Sequence, residues 1–317
     1  MKSAFIFPGQ GSQKIGMASA FMNGYKAGFD TMKEIEEAIS FNLSDLIENG
    51  TMKELTRAEN AQPAIFAVSM MCVNILKKEY GYNFEQNCKY LAGHSLGEYS
   101  ALCVSGVFSL SDTAKIVRKR GELMSEAFPN SDDYAMVALL GVCASDIDRL
   151  IMGVADCFIA NDNSNKQVVI SGKKEAVLKF AEDLKSDIGL KKAVQLKTSG
   201  PFHSPLMADI AVQFDKYVSG IYKPNKCKIP VIMNITAKPT CDKDNVIWNM
   251  TNQITSQVKW RETTDFLVND KEIGKIVEIA PGQVLSNMIT RAYPEADVLS
   301  LDSVHKIADF VKSYEEI

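Results

Sequence analysis

Residues 93–97 read Gly-His-Ser-Leu-Gly, the G-x-S-x-G spacing of a nucleophile elbow. Tyr90-Leu91-Ala92 before it predicts the end of a buried strand, and Glu98 to Val104 after it predict a helix start with an acid in the first turn. In that setting Ser95 sits on a tight, strained turn. A β-carbon at Gly93 or Gly97 would collide with neighbouring backbone. The hydroxyl is then presented at a helix N-terminus, where the Leu96 N–H helps to stabilise an oxyanion. The chemistry implied is acyl transfer through an acyl-serine ester.

A serine nucleophile needs a base, and the chain has three histidines, His94, His203 and His305. His94 lies inside the elbow, where the backbone direction points it away from the serine hydroxyl. His305 stands near the C-terminus before an amphipathic stretch, as a solvated or capping residue would. His203 lies in Thr198-Ser199-Gly200-Pro201-Phe202-His203-Ser204-Pro205, a loop dense in turn formers. A loop histidine following the serine in chain order suits an acyl-transfer pair on an α/β scaffold. The plain alternative is a structural loop histidine. No Asp or Glu follows His203 until Asp209, so a third member of a triad would have to come from elsewhere in the fold.

These residues need elements to hold them. Strand and helix patterns alternate through the first part of the chain, which predicts a largely parallel sheet covered by helices. Helices are predicted near 60–79, 97–105, 111–127 and 173–187. The methionines and alanines of the first read as core. After the polar turn Pro129-Asn130-Ser131-Asp132-Asp133 the pattern becomes strand (134–142), helix (from about Ser145), strand (156–160), Asn-rich turn, strand (167–171), helix, strand (192–197). That β-α-β-β-α-β order is the ferredoxin-like motif. The expected fold class is α/β: a hydrolase-like large domain with a parallel sheet, formed by 1–129 and 198–317, and an inserted ferredoxin-like α+β subdomain over 130–197. The active site is expected in the cleft between them. Asn161-Asp162-Asn163-Ser164-Asn165 either lines that cleft or forms a plain hairpin turn.

The N-terminus reads Ala4-Phe5-Ile6-Phe7-Pro8-Gly9-Gln10-Gly11-Ser12-Gln13, an apolar strand running into a Pro/Gly turn. With the elbow Gly-His-Ser-Leu-Gly-Glu and the loop Gly-Pro-Phe-His-Ser-Pro-Leu-Met, the chain resembles the malonyl-CoA:acyl-carrier-protein transacylases of fatty-acid synthesis and the related acyltransferase domains of polyketide synthases. The resemblance extends through Asn-Lys-Gln-Val-Val-Ile-Ser-Gly at 165–172 and Glu-Ile-Ala-Pro-Gly-Gln-Val-Leu at 278–285, nearly the whole chain. It implies Ser95 as nucleophile and His203 as base, with Gln10 and Leu96 supplying oxyanion-hole N–H groups. It implies that Gln253 orients the histidine through its backbone carbonyl, making a dyad rather than a triad. It implies Arg120 as the partner of the malonyl carboxylate; in the cleft-lining reading of 161–165, Asn163 is the substrate-binding candidate. At Ser256-Gln257-Val258-Lys259-Trp260 the chain departs from the family pattern, which often has Asn-Pro before the valine, so the local turn there is in doubt.

An arginine suits a malonyl group because its planar fork gives a carboxylate two parallel charge-assisted bonds. From the residues alone, Arg118, Lys119 and Arg120 read as a solvated helix face, and only the resemblance selects Arg120. Phe202 beside the base leaves little room for a branch at the acyl α-carbon, and the family associates that ring with malonyl use. Lys191 and Lys192 are either a solvated pair or, as the resemblance implies, part of the rim where an acidic carrier protein docks. The expected activity is ping-pong malonyl transfer from malonyl-CoA to the phosphopantetheine thiol of acyl carrier protein, with no cofactor. The alternatives are a trans-acting malonyl acyltransferase of a polyketide pathway, a serine hydrolase clearing acyl groups from carrier proteins, and a non-catalytic docking module.

The 317-residue chain is 46% hydrophobic and 23% charged, an ordinary globular composition. Its net charge of −4 supplies no basic field for nucleic acid. Seven scattered cysteines with no C-x-x-C pair argue against a zinc site or a disulfide framework and for a reducing compartment. No apolar run reaches membrane-spanning length, and the N-terminus enters a strand with no room for a signal peptide. A cytoplasmic monomer is expected, or an organellar one had a transit peptide been removed.

Overall fold

The computed structural model describes residues 2–128, 131–187, 190–198 and 200–315. Its first strand, β1 (Lys2–Phe7), is buried from Ser3 onward, as an Ala-Phe-Ile-Phe run demands when helices cover both faces of a sheet. The next strand, β2 (Cys88–Gly93), ends at the elbow. Among the described residues six helices intervene between these two strands. The alternation at the start of the chain is thus uneven, with a run of helices before the second strand, while the largely parallel sheet it implied forms. The helix Ala58–Lys78 is buried along most of its length, including Met70 and Met71. Its Met and Ala stripe is core, as expected, and it packs against the helix Leu110–Glu126.

The four strands β3 (Tyr134–Leu140), β4 (Cys157–Ser164), β5 (Gln167–Lys173) and β6 (Lys192–Gln195) form a separate sheet in the order β4-β5-β3-β6, with every pairing antiparallel. Helices Ala144–Ile151 and Lys174–Asp187 complete the ferredoxin-like unit, which has its own apolar core around Val137, Ile147, Ile170 and Phe180. The strands β7 (Val231–Ile232), β8 (Pro239–Thr240), β9 (Ile273–Ile279) and β10 (Val298–Leu301) return to the first sheet. Its order is β10-β9-β1-β2-β7-β8, parallel except for β8. The turn residues Pro129 and Asn130, where the subdomain boundary was drawn, lie outside the described residues, as does Ser199 of the histidine loop.

The Asn-rich segment corrects the sequence reading. Asn161 to Ser164 are not a turn but the last part of β4, with register shifts between Ile159 and Asn161 and between Asp162 and Ser164. The strand persists because groups outside its own sheet pair with its backbone and with Asp162. Val258 N–H donates to the Ala160 carbonyl (2.8 Å), Asp162 N–H donates to the Val258 carbonyl (2.9 Å), and buried Asp162 pairs with Arg261 at 2.9 Å. The segment 256–260, where the chain departs from the family pattern, is thus the seam between the two sheets.

Candidate active site

At the carboxyl end of β2 the chain turns through Ser95 with a left-handed φ of 50° and enters the helix Gly97–Val104. Such a φ in a non-glycine residue costs roughly 1–3 kcal/mol and persists only where the surroundings enforce it. Here they do. A β-carbon on Gly93 would lie 2.0 Å from the Gly97 carbonyl carbon, and one on Gly97 would lie 2.1 Å from the Phe7 carbonyl oxygen. The glycines let β1, β2 and the helix approach to that limit, and the elbow forms as its spacing predicts.

His203 reaches the serine from the loop before the short 3-10 turn Pro205–Met207, and it too has a left-handed φ, 58°. Its Nε2 is 2.7 Å from Ser95 Oγ. Its Nδ1 is 3.0 Å from the Gln253 carbonyl oxygen. A carbonyl can only accept, so Nδ1 carries the proton and Nε2 is left free to accept the serine proton. Burial, reinforced by the positive charge of Arg120, pulls the imidazole from its ordinary range down to about 3. The histidine therefore rests neutral.

Arg120 is 1% exposed. Its Nη1 donates to Gln62 Oε1 (2.7 Å), and its Nη2 donates to Gln253 Oε1 (2.9 Å) and to Ser95 Oγ (3.3 Å). Its plane lies over the Tyr99 ring at 5.1 Å. Its Nε has no partner among the described residues. The hydrogen-bond acceptors around this cation are neutral, so its charge remains available to an incoming anion. Arg118, two residues earlier, instead pairs with Glu122 on the next turn and donates to the Glu59 carbonyl.

The cleft over these groups has a volume of about 470 Å³, and Gln10, Leu96, Asn163 and Phe202 line it with Ser95, Arg120 and His203. Asn163 Oδ1 accepts from His94 Nε2 at 2.8 Å, which ties the two sheets across the cleft. His94 is thereby engaged away from Ser95, while His305 is exposed beside Asp309. Lys191 and Lys192 are exposed at the start of the edge strand β6 and are not among the residues lining the cleft. Among the described residues, no group of three or more His, Cys, Asp or Glu is arranged to hold a metal ion, and no helix is long and apolar enough to cross a membrane.

Three participants escaped the sequence reading. The Gln253 side chain donates from Nε2 to the Ser95 carbonyl (2.9 Å), beyond the role of its backbone. Gln62 anchors Arg120 and donates to Met124 Sδ at 3.3 Å. Asn234 accepts the Ser95 N–H at 2.7 Å. No local pattern marks an isolated amide. Only its burial does, and that depends on the fold.

The model of the family described as acyl transferase domain matches residues 4–309. The chain belongs to this acyl transferase family. A malonyl CoA-acyl carrier protein transacylase of Staphylococcus aureus is 34% identical over 310 residues, covering 96% of this chain and 97% of that protein. The acyl-carrier-protein-S-malonyltransferase of Bartonella henselae superposes with a TM-score of 0.93 at 37% identity, covering 99% of this chain and 100% of the other. A malonyl-transacylase solved in complex with a type II PKS acyl-carrier protein superposes with a TM-score of 0.92 at 30% identity, over 99% of this chain and 100% of the other. The two-sheet architecture of this acyltransferase is thus that of the solved malonyltransferases.

Proposed function

We propose that the acyltransferase moves a malonyl group from malonyl-CoA to the phosphopantetheine thiol of an acyl carrier protein in fatty-acid synthesis, through a malonyl ester on Ser95. The observation that carries this reading is the 3.3 Å approach of Arg120 Nη2 to Ser95 Oγ. In a malonyl thioester a single methylene separates the carboxylate from the reacting carbonyl. The anion site must therefore lie close beside the nucleophile, and this guanidinium does.

His203 Nε2 takes the Ser95 proton as Oγ attacks the thioester carbon. The oxyanion rests on the N–H groups of Leu96 and Gln10. As the C–S bond breaks, the CoA sulfur takes the proton back from His203. The carrier thiol then gives its proton to His203, attacks the ester, and Ser95 Oγ leaves with that proton. Gln253 keeps the imidazole in the working tautomer through both halves, and no cofactor is used. Arg120 holds the carboxylate with Asn163 beside it, and Phe202 crowds the α-carbon. Residues 1–129 with 198–317 act as the large domain and 130–197 as the small one, with Lys191 and Lys192 on the docking rim of a cytoplasmic monomer.

A polyketide carrier is the second reading, favoured by the likeness to the malonyl-transacylase bound to a type II PKS acyl-carrier protein. A hydrolase for simple acyl chains would gain nothing from Arg120. Incubation with malonyl-CoA and phosphopantetheinylated carrier tests the proposal. Malonyl-carrier formed much faster than free malonate supports transfer, and free malonate as the main product would establish a hydrolase.

A further inference from the structure

One carboxyl group lies in the heart of the site with no part in the chemistry above. Glu98 is fully buried in the first turn of the elbow helix. Its Oε2 accepts the backbone N–H of Asn234 at 2.6 Å, and its Oε1 has no partner among the described residues. Burial pushes its carboxyl up to about 8, against the pull of the Asn234 N–H and the Arg120 charge. Burying an acid with one oxygen unsatisfied is unfavourable.

What Glu98 holds is a clasp on the nucleophile. Asn234 follows β7 and is 1% exposed. Its Nδ2 donates to the Gly93 carbonyl (2.7 Å), while its Oδ1 accepts the Ser95 N–H (2.7 Å) and the Gln253 Nε2–H (3.3 Å). One amide thus grips the backbone before and at the strained turn. The Ser95–Leu96 peptide that follows carries the proposed oxyanion donor.

We propose that Glu98 is a positioning residue: by accepting the Asn234 N–H it fixes the Asn234 side chain across the elbow, which holds Ser95 Oγ and the Leu96 N–H in register with His203. The role lies in hydrogen-bond acceptance rather than in an ion pair, because the Arg120 charge acts on Glu98 only through space and Oε1 has no hydrogen-bond partner among the described residues. The inference rests on the reading of Ser95 as nucleophile.

A fluorophosphonate probe tests it without malonyl recognition, since Ser95 Oγ displaces fluoride at phosphorus with only the dyad and the oxyanion donors assisting. The rate of labelling is measured on wild type, Glu98→Ala, Glu98→Gln, Asn234→Asp and Ser95→Ala, with the fold checked by circular dichroism. Misplacing a reacting group by about 1 Å can cost roughly 100-fold in rate. Glu98→Ala and Asn234→Asp should therefore label roughly 10- to 100-fold more slowly. Glu98→Gln keeps the accepting oxygen and should recover most of the rate. A Glu98→Gln protein as slow as Glu98→Ala would overturn the proposal, as would unchanged labelling of Asn234→Asp. Both near-isosteric variants decide the matter even if Glu98→Ala fails to fold. Labelling of Ser95→Ala at the wild-type rate would instead remove the nucleophile assignment itself.

Discussion

Arg120 and Ser95 lie 3.3 Å apart in the buried floor of the cleft, so a cation and a nucleophile share one wall. The proximity sets a length limit on the acyl group. An acyl group with one methylene between its carboxylate and its reacting carbon can reach both groups from the cleft, and a longer dicarboxylic chain would have to fold back.

Removing the guanidinium should separate two substrates. Arg120→Ala should lower kcat/KM for malonyl-CoA by about 100-fold or more, the usual scale for truncating a buried, hydrogen-bonded charge partner. Acetyl-CoA use should be spared or improved, because a methyl group needs no counter-ion. Arg120→Lys should recover only part of the malonyl activity, since a point charge lacks the two-pronged geometry. Steady-state kinetics with both thioesters checks this. An equal fall for both would make Arg120 a structural residue.

The pH dependence follows from the depressed imidazole of His203. Its neutral form is the base, and in the folded protein that form persists down to about 3. The acid limb of kcat/KM should therefore lie below the ordinary imidazole value of about 6.5. His203→Ala should lose roughly 10²–10⁴-fold in acylation rate. Stability has the matching sign. Below about 6.5 the unfolded chain takes up a proton that the folded one refuses, so this group's contribution to stability declines as pH falls from there towards 3. Single-turnover acylation across pH reads the first effect, and chemical denaturation across pH reads the second.

The elbow glycines admit a packing test. Gly97→Ala places a β-carbon 2.1 Å from the Phe7 carbonyl, backbone that cannot swing aside, and should destabilise by about 1–3 kcal/mol or more. Gly220 has nothing within 4 Å of such a carbon and lies in the helix Ala208–Ile221. Gly220→Ala should be neutral or stabilising, by up to about 1 kcal/mol. Thermal unfolding of the two variants should move in opposite directions, or one should fall while the other stays.

Much of this site was legible locally because its signals are local. The elbow announces itself through two glycines at fixed spacing, and the base through elimination among three histidines. Arg120 needed the resemblance, although the helix phase held a further clue. Thr113, Ala114, Ile116, Val117, Arg120, Gly121 and Met124 are buried in the helix Leu110–Glu126, and their three- and four-residue steps pass through 120 rather than 118. For the segment 161–165 composition left a turn and a cleft lining equally open; the structure sets aside the turn, because the fold supplies the pairing of β4 with Val258, and puts Asn163 in the lining of the cleft. Asn234 and the Gln62 side chain were invisible because their roles arise from contacts more than fifty residues distant in sequence.

The central claim, that Ser95 carries the malonyl group between donor and carrier, is tested most directly by intact-protein mass spectrometry after brief exposure to malonyl-CoA alone. Wild type should gain the mass of one malonyl group, located by peptide mapping at Ser95, and should lose it when phosphopantetheinylated carrier is added. Ser95→Ala should gain nothing while keeping its fold. Malonylation of Ser95→Ala at wild-type stoichiometry, or a wild-type adduct that the carrier cannot discharge, would contradict the account.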